Sequence, residues 1–195
     1  APGKEALFHE EKSTVAGVVV MVLLILLALP LGVNRSFSRL REEVRGNYYY
    51  DDGDYSLYDS IDAREAASSN LITVAEKYTA ENPELTGLMA DLEYWVNVSN
   101  GCYDPDLQEE AEANREMGNA FQALYDRLSQ VALEERDQKY PGQLLAQMES
   151  EQDKIDRASY NDEARAYNEK LSAFPVNLLG KLGGVSPMGI FAQEK

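Results

Sequence analysis

The chain has 195 residues, 34 of them acidic and 18 basic, giving a net charge of −16 with one histidine and one cysteine. So acidic a chain is ill suited to nucleic acid or to docking on anionic lipid, both of which recruit clustered cations. Cys102 alone has no partner for an intramolecular disulfide and cannot build a thiolate metal cluster, which fits a reducing compartment.

The acidity is unevenly spread. Residues 46–195 hold 29 Asp and Glu against 12 Lys and Arg, whereas residues 14–33, TVAGVVVMVLLILLALPLGV, contain no charge at all. Twenty residues at about 1.5 Å each make a helix of roughly 30 Å, the thickness of a bilayer's hydrocarbon. The preceding stretch, residues 1–13, is rich in glutamate (Glu5, Glu10, Glu11) rather than basic, and no small-x-small cleavage pattern follows the run. The segment is therefore expected to be an uncleaved transmembrane helix in contact with the lipid bilayer. Arg35, Arg39, Arg41 and Arg45 follow it, against Lys4 and Lys12 before it, which places the C-terminal part in the cytoplasm and residues 1–13 outside. Ala16, Gly17, Ala28 and Gly32 are its small residues, but Gly17 and Gly32 are too far apart for a GxxxG pair, so the anchor alone should dimerise weakly.

Beyond the anchor the helix is expected to run on to about residue 45. Residues 46–60, GNYYYDDGDYSLYDS, carry five tyrosines (Tyr48, Tyr49, Tyr50, Tyr55, Tyr58) and four aspartates, a composition that predicts a loop packed on something and a possible interaction surface. It is not a calcium loop: with Gly53 as the sixth position, the first and third ligands would be Tyr48 and Tyr50. A helix is expected from an Asp59 N-cap to about residue 82, with Ala63, Ala67, Leu71, Val74 and Tyr78 on one face. Another covers 83–100, with Leu85, Leu88, Leu92, Trp95 and Val96 inward and Asn100-Gly101 as its stop. Asp104-Pro105 announces a fourth, with the stripe Leu107, Ala111, Met117, Phe121, Leu124, Leu128 and Val131. Tyr140-Pro141-Gly142 should turn the chain into a fifth helix reaching residue 173, the two forming a long antiparallel hairpin. No period-two pattern occurs, so the expected fold is all-α: a single-span transmembrane helix (14–33) continuing into a bundle of long antiparallel helices (46–182), with residues 183–195 as a tail.

The most specific motif lies on the last long helix. Tyr160-Asn161 and Tyr167-Asn168 are seven residues apart, two helical turns, so both tyrosines share one face and both asparagines an adjacent one. Tyrosines so placed would anchor the bundle, and a buried asparagine would fix its register, because an unpaired amide costs about 1–3 kcal/mol. This region, SYNDEARAYNEKLSAFPVNLLGKLG, resembles the C-terminal signature of the LemA family: a tandem YN followed by a Phe-Pro-x-Asn-Leu at Phe174, Pro175 and Asn177. Other stretches agree in order: LREEV at 40–44 after the membrane helix, Asn70-Leu71 ahead of AEKYTAEN, Tyr140-Pro141, and MESEQDKIDRA at 148–158. Two stretches depart from the family, namely 46–60, where it commonly has continuous helix, and Gly183-Gly184-Val185, where it usually has a phenylalanine-rich turn. The resemblance implies a bacterial inner-membrane protein, single-pass with its N-terminus outside, carrying a cytoplasmic helical bundle and having no established enzymatic activity.

The residue inventory points the same way. His9, the only histidine, precedes the anchor, so the bundle has no histidine for general-base catalysis or a Glu-x-x-His metal site, and no glycine-rich phosphate loop is present. No catalytic residue, cofactor or metal is expected. The expected role is a membrane-anchored scaffold that forms a homo-oligomer through its bundle; the alternative is an accessory subunit of another membrane protein, such as a protease or transporter.

Overall fold

A computed structural model describes residues 3–50, 56–102 and 104–193, and side chains from residue 15 onward. The described chain is all-α, without strands: α1 (Gly3–Tyr49), α2 (Leu57–Glu76), α3 (Leu85–Gly101), α4 (Gln108–Leu128), α5 (Tyr140–Arg157), α6 (Ser159–Ser172) and α7 (Val176–Leu182). By its contacts it divides into two compact units, Ala1–Leu40 with Lys170–Ser186, and Arg41–Glu169 with Pro187–Lys195.

Helix α1 is longer at both ends than expected. The stretch before the apolar run is rich in good helix formers, and at the other end Gly46-Asn47 does not stop the helix, which continues to Tyr49. The reason is tertiary: Val44 and Tyr48 are buried in the bundle, and that burial outweighs the poor propensity of Gly and Asn. The boundary placed at 45/46 thus falls inside α1 and helix resumes at Leu57, while residues 51–55 of the expected loop lie outside the described residues. Val15–Tyr49 is, among the described residues, the one helix stretch long and apolar enough to cross a membrane, and the side chains of its apolar run are largely exposed.

In the second unit α2 starts one turn earlier than the Asp59 signal suggested. Ser56 is the N-cap: the Asp59 amide donates to Ser56 Oγ at 3.0 Å and the Ser56 amide to Asp59 Oδ2 at 3.3 Å, a reciprocal capping box. Ala67, Leu71, Val74, Leu85, Leu92, Val96, Met117, Phe121, Leu124 and Leu128 form the core, with Leu88, Trp95 and Tyr78 half-buried at its edge. Helix α2 lies against α5 and α3, and α3 against α4, while α4 touches α2 and α5 more lightly.

The expected α4–α5 hairpin is therefore not the main packing pair. Residues 129–139 link the two helices, and buried Asp137 ties this link to the end of α2, accepting from Tyr78 Oη at 2.8 Å and Lys77 Nζ at 3.1 Å. Tyr140-Pro141-Gly142 is not a turn but the first turn of α5, where a proline's missing N–H would have had no helical partner. Asp104 still serves α4, its carboxylate accepting from the amides of Asp106, Gln108 and Glu109 at 3.0, 2.7 and 3.1 Å. The helix itself begins only after Leu107, which takes the left-handed conformation at φ 55°. The expected fifth helix is broken in two at Ala158, whose ψ of 133° is extended.

In the first unit α7 is folded back on itself and on α1. The Asn34 amide donates to Gly183 O at 2.5 Å. At the end of α7 the Val185 amide reaches Gly180 O at 2.9 Å and the Gly184 amide Lys181 O at 3.3 Å, the two bonds of a Schellman motif. Gly184, at φ +71°, supplies its left-handed residue, and a Cβ on Gly183 would come within 2.7 Å of Pro30 O. The departure at Gly183-Gly184-Val185 is thus a helix stop that needs both glycines.

The capping box gives a direct check. Ser56→Ala should lower the stability of the full chain in detergent by about 1 kcal/mol in a denaturant melt.

Candidate functional site

The tandem YN gathers the chain's own C-terminal segment. Tyr160, Asn161 and Tyr167 are buried and Asn168 half-buried. Tyr160 Oη donates to Gly189 O at 2.9 Å. Asn161 Oδ1 accepts from the amides of Phe191 and Ala192, both at 3.0 Å, while its Nδ2 donates to Ile155 O at 2.7 Å across the α5–α6 break. Asn168 pairs with Met188 in both directions, Nδ2 to the carbonyl at 2.9 Å and Oδ1 from the amide at 2.7 Å. Residues 187–193, read from sequence as part of a tail, are therefore an internal strap whose Met188 and Phe191 are buried. On its other edge the Gly189 amide donates to Asp106 O at 2.8 Å. A Cβ on Gly189 would lie 2.0 Å from Leu107 O, so only glycine fits.

Tyr48, from the end of α1, fills the space between these pieces. Its ring meets Tyr160 at 6.2 Å and Phe191 at 5.8 Å, and on the other side Tyr49 at 4.8 Å and Tyr58 at 6.0 Å, mostly edge to face. The tyrosines expected to form one interaction loop thus divide. Tyr48 is core; Tyr49 and Tyr58 shield it while staying partly exposed; Tyr50 is 82% exposed; Tyr55 lies outside the described residues. The Phe-Pro-x-Asn motif belongs to the first unit: Phe174 is exposed, Pro175 precedes α7 as its N-cap, and Asn177 is half-buried on its first turn.

Beside the aromatic cluster lie two buried carboxylates. Tyr48 Oη donates to Glu110 Oε1, and Glu110 and Glu65 both line a small cavity of about 100 Å³ together with Cys102. Burial raises both carboxyls above their ordinary value; at Glu110 the Tyr48 hydrogen bond opposes this, Glu65 adds to it and Arg45 opposes it, while at Glu65 the Ser99 and Asn100 hydrogen bonds oppose it and Asp62 adds to it. Among the described residues no group of three His, Cys, Asp or Glu is placed to hold a metal ion.

Sequence reasoning missed Arg64. It occupies the buried face of α2, where its Nη1 donates to Asn114 Oδ1 and, at 2.5 Å, to Gln152 Oε1, while Nε is buried without a partner. Burial lowers its pKa to about 10, against the pull of Asp156. Gln152 passes that charge on, donating to Asp156 Oδ1 at 2.7 Å, and Asp156 also holds the Gln193 amide at 3.0 Å. Gly118 makes room: a Cβ there would sit 2.7 Å from Arg64 Nη2. The guanidinium borders an open cleft of about 540 Å³ that Arg115 shares with Glu149, Asp153 and Asp156. Carboxylates outnumber guanidiniums there, so the cleft does not concentrate anions. The available signal was an arginine in an apolar stripe opposite a mid-helix glycine.

Two outcomes follow from this geometry. Asn161→Ala should leave the Phe191 and Ala192 amides of the strap unpaired, costing about 1–3 kcal/mol per buried group, and should make residues 187–193 more open to carboxypeptidase than in the parent chain. In the pH profile, Glu65 and Glu110 bind protons more tightly folded than unfolded, so they cost stability as pH rises above their ordinary value of 4.5 and return it as pH falls toward that value. Glu110→Gln should raise the neutral-pH melting temperature and flatten this slope; an unchanged slope would count against a buried carboxyl. Comparison of the chain with protein-family models, curated proteins and solved structures finds no significant match.

Proposed function

We propose that this chain is a LemA-like, non-enzymatic membrane protein: a single-pass anchor through residues 14–33, N-terminus outside the bacterial inner membrane, carrying a cytoplasmic bundle that self-assembles as a scaffold. The observation that carries the reading is the direction of the tandem YN. The chain's most specific motif is turned inward and holds the protein's own strap, with Tyr160 Oη, Asn161 Oδ1 and both amide atoms of Asn168 bonded to residues 188–192. Also in support, one helix carries both the apolar run and the Tyr48 that the bundle buries. Association would draw on exposed aromatics, Tyr50, Tyr58 and Tyr94, the last stacked edge-on against Trp95 at 4.9 Å.

A second reading, an accessory subunit of another membrane protein such as a protease or transporter, is favoured by the charged cleft beside Arg64, which has the volume to admit a side chain from a partner. Extraction of the full chain in mild detergent separates the two. The scaffold reading expects a particle of one polypeptide that tightens from low to physiological salt, as repulsion between subunits of net charge −16 is screened over about 8 Å. Tyr50→Ser and Tyr94→Ser should each weaken association about tenfold without moving the melting temperature. A monomer at every salt concentration sinks the scaffold, and a heteromer of fixed composition supports the accessory subunit.

A further inference from the structure

Within the first unit, α7 leaves an apolar face uncovered. Phe174, Leu178 and Leu182, four residues apart, are 80%, 57% and 76% exposed, and the last two stand on one side of the helix. Gly180, about 160° round from Leu178 and Leu182, is buried, and a Cβ there would press on Leu171 at 2.9 Å, so the helix already has its inner face occupied. An apolar stripe this exposed, on an element tied to α1 at its C-terminal end, calls for an apolar neighbour.

Two independent observations identify that neighbour. The first is position: Gly183, one residue after Leu182, touches Pro30 and is held by Asn34. Pro30 lies three residues inside the apolar run that ends at 33, roughly 4.5 Å along the axis, so the stripe joins the exposed apolar surface of α1 at the level where hydrocarbon gives way to headgroups. The second is charge. From 15 to 40 and from 170 to 186 the unit carries Arg35, Arg39, Lys170 and Lys181 and not one carboxylate, although the whole chain has a net charge of −16. Cations flanking apolar side chains are the composition of a segment lying in the interface of a bilayer.

We propose that α7 is a second membrane contact: Phe174, Leu178 and Leu182 insert into the acyl–headgroup boundary of the phospholipid leaflet that α1 leaves, with Lys181 among the headgroups. The proposal rests on the anchor reading of α1 and adds to it. A short helix so docked gives the chain a second lipid contact and restricts rotation about the anchor axis, which one spanning helix cannot do alone.

The test is spin-label accessibility on the full chain in phosphatidylcholine–phosphatidylglycerol vesicles. Leu178→Cys, Leu182→Cys and Val20→Cys are labelled in turn in a Cys102→Ser background. All three positions are exposed within the chain, so the substitutions leave its packing intact. The expected result is relaxation by oxygen exceeding that by a water-soluble nickel chelate at 178 and 182, with a still larger excess at 20. Nickel-dominated relaxation at 178 and 182, with position 20 still in lipid, overturns the α7 proposal and leaves the anchor standing. Low accessibility to both reagents at 178 and 182 means that protein covers the stripe, and overturns it as well. Nickel-dominated relaxation at 20 removes the anchor reading and this proposal together.

Discussion

One carboxamide holds the second unit's architecture in place. Asn161 reaches back with Nδ2 to the carbonyls of Ile155 and Ala158, where α5 gives way to α6, and forward with Oδ1 to the amides of Phe191 and Ala192. A helix break exposes carbonyls and an irregular strap exposes amides, and both kinds of group are costly when buried unpaired. A single amide side chain, with two donors and two lone pairs, answers both at one position. Tyr160 and Asn168 repeat the tactic one residue before and two turns after, so the strap is stitched to α6 at Met188, Gly189 and Phe191.

The aromatic cluster depends on that stitching. Phe191 packs tilted against Tyr48 at 5.8 Å and in a T-shaped pair with Tyr160 at 5.6 Å, so the end of α1, α6 and the strap share one apolar nucleus. Without the strap, Tyr48 and Tyr160 would lose a wall. Arg64 shows the same economy in polar form. A guanidinium buried on neutral amides, with the opposing charge of Asp156 reached through Gln152, is a costly inclusion; Asn114 and Gln152 hold its Nη1 and Gly118 leaves room for its Nη2. Swapping any of the three would disturb α2, α4 and α5 together, which gives the network a part in setting the register of the bundle.

Much of the helical plan was readable because it rests on local chemistry. The apolar run has a length that few other structures require, the stripes of α2, α3 and α4 repeat at helical spacing, and Pro141 and Asp104 are terminal signals wherever they fall within a turn. Boundaries were less legible for a definite reason. Gly46-Asn47 reads as a stop because propensity is local, yet burial of Val44 and Tyr48 carries α1 through it. Ala158 reads as a good helix residue, yet the chain breaks there, and the Ile155 carbonyl at the break takes the Ala158 amide and the Asn161 side chain as partners.

The sequence by itself determined the all-helical fold, the one membrane-competent segment, the core stripes and the singling out of the tandem YN, since each of these follows from spacing and composition within a few turns. Only the tertiary structure decided what the YN pairs hold, that residues 187–193 are a strap rather than a tail, that Tyr48 is core while Tyr50 is surface, and that Arg64 is buried. These depend on contacts between residues far apart in the chain, such as Asn161 with Phe191 or Arg64 with Gln152. A hydrogen bond or a cavity wall of that kind has no period along the sequence, so no local pattern announces it.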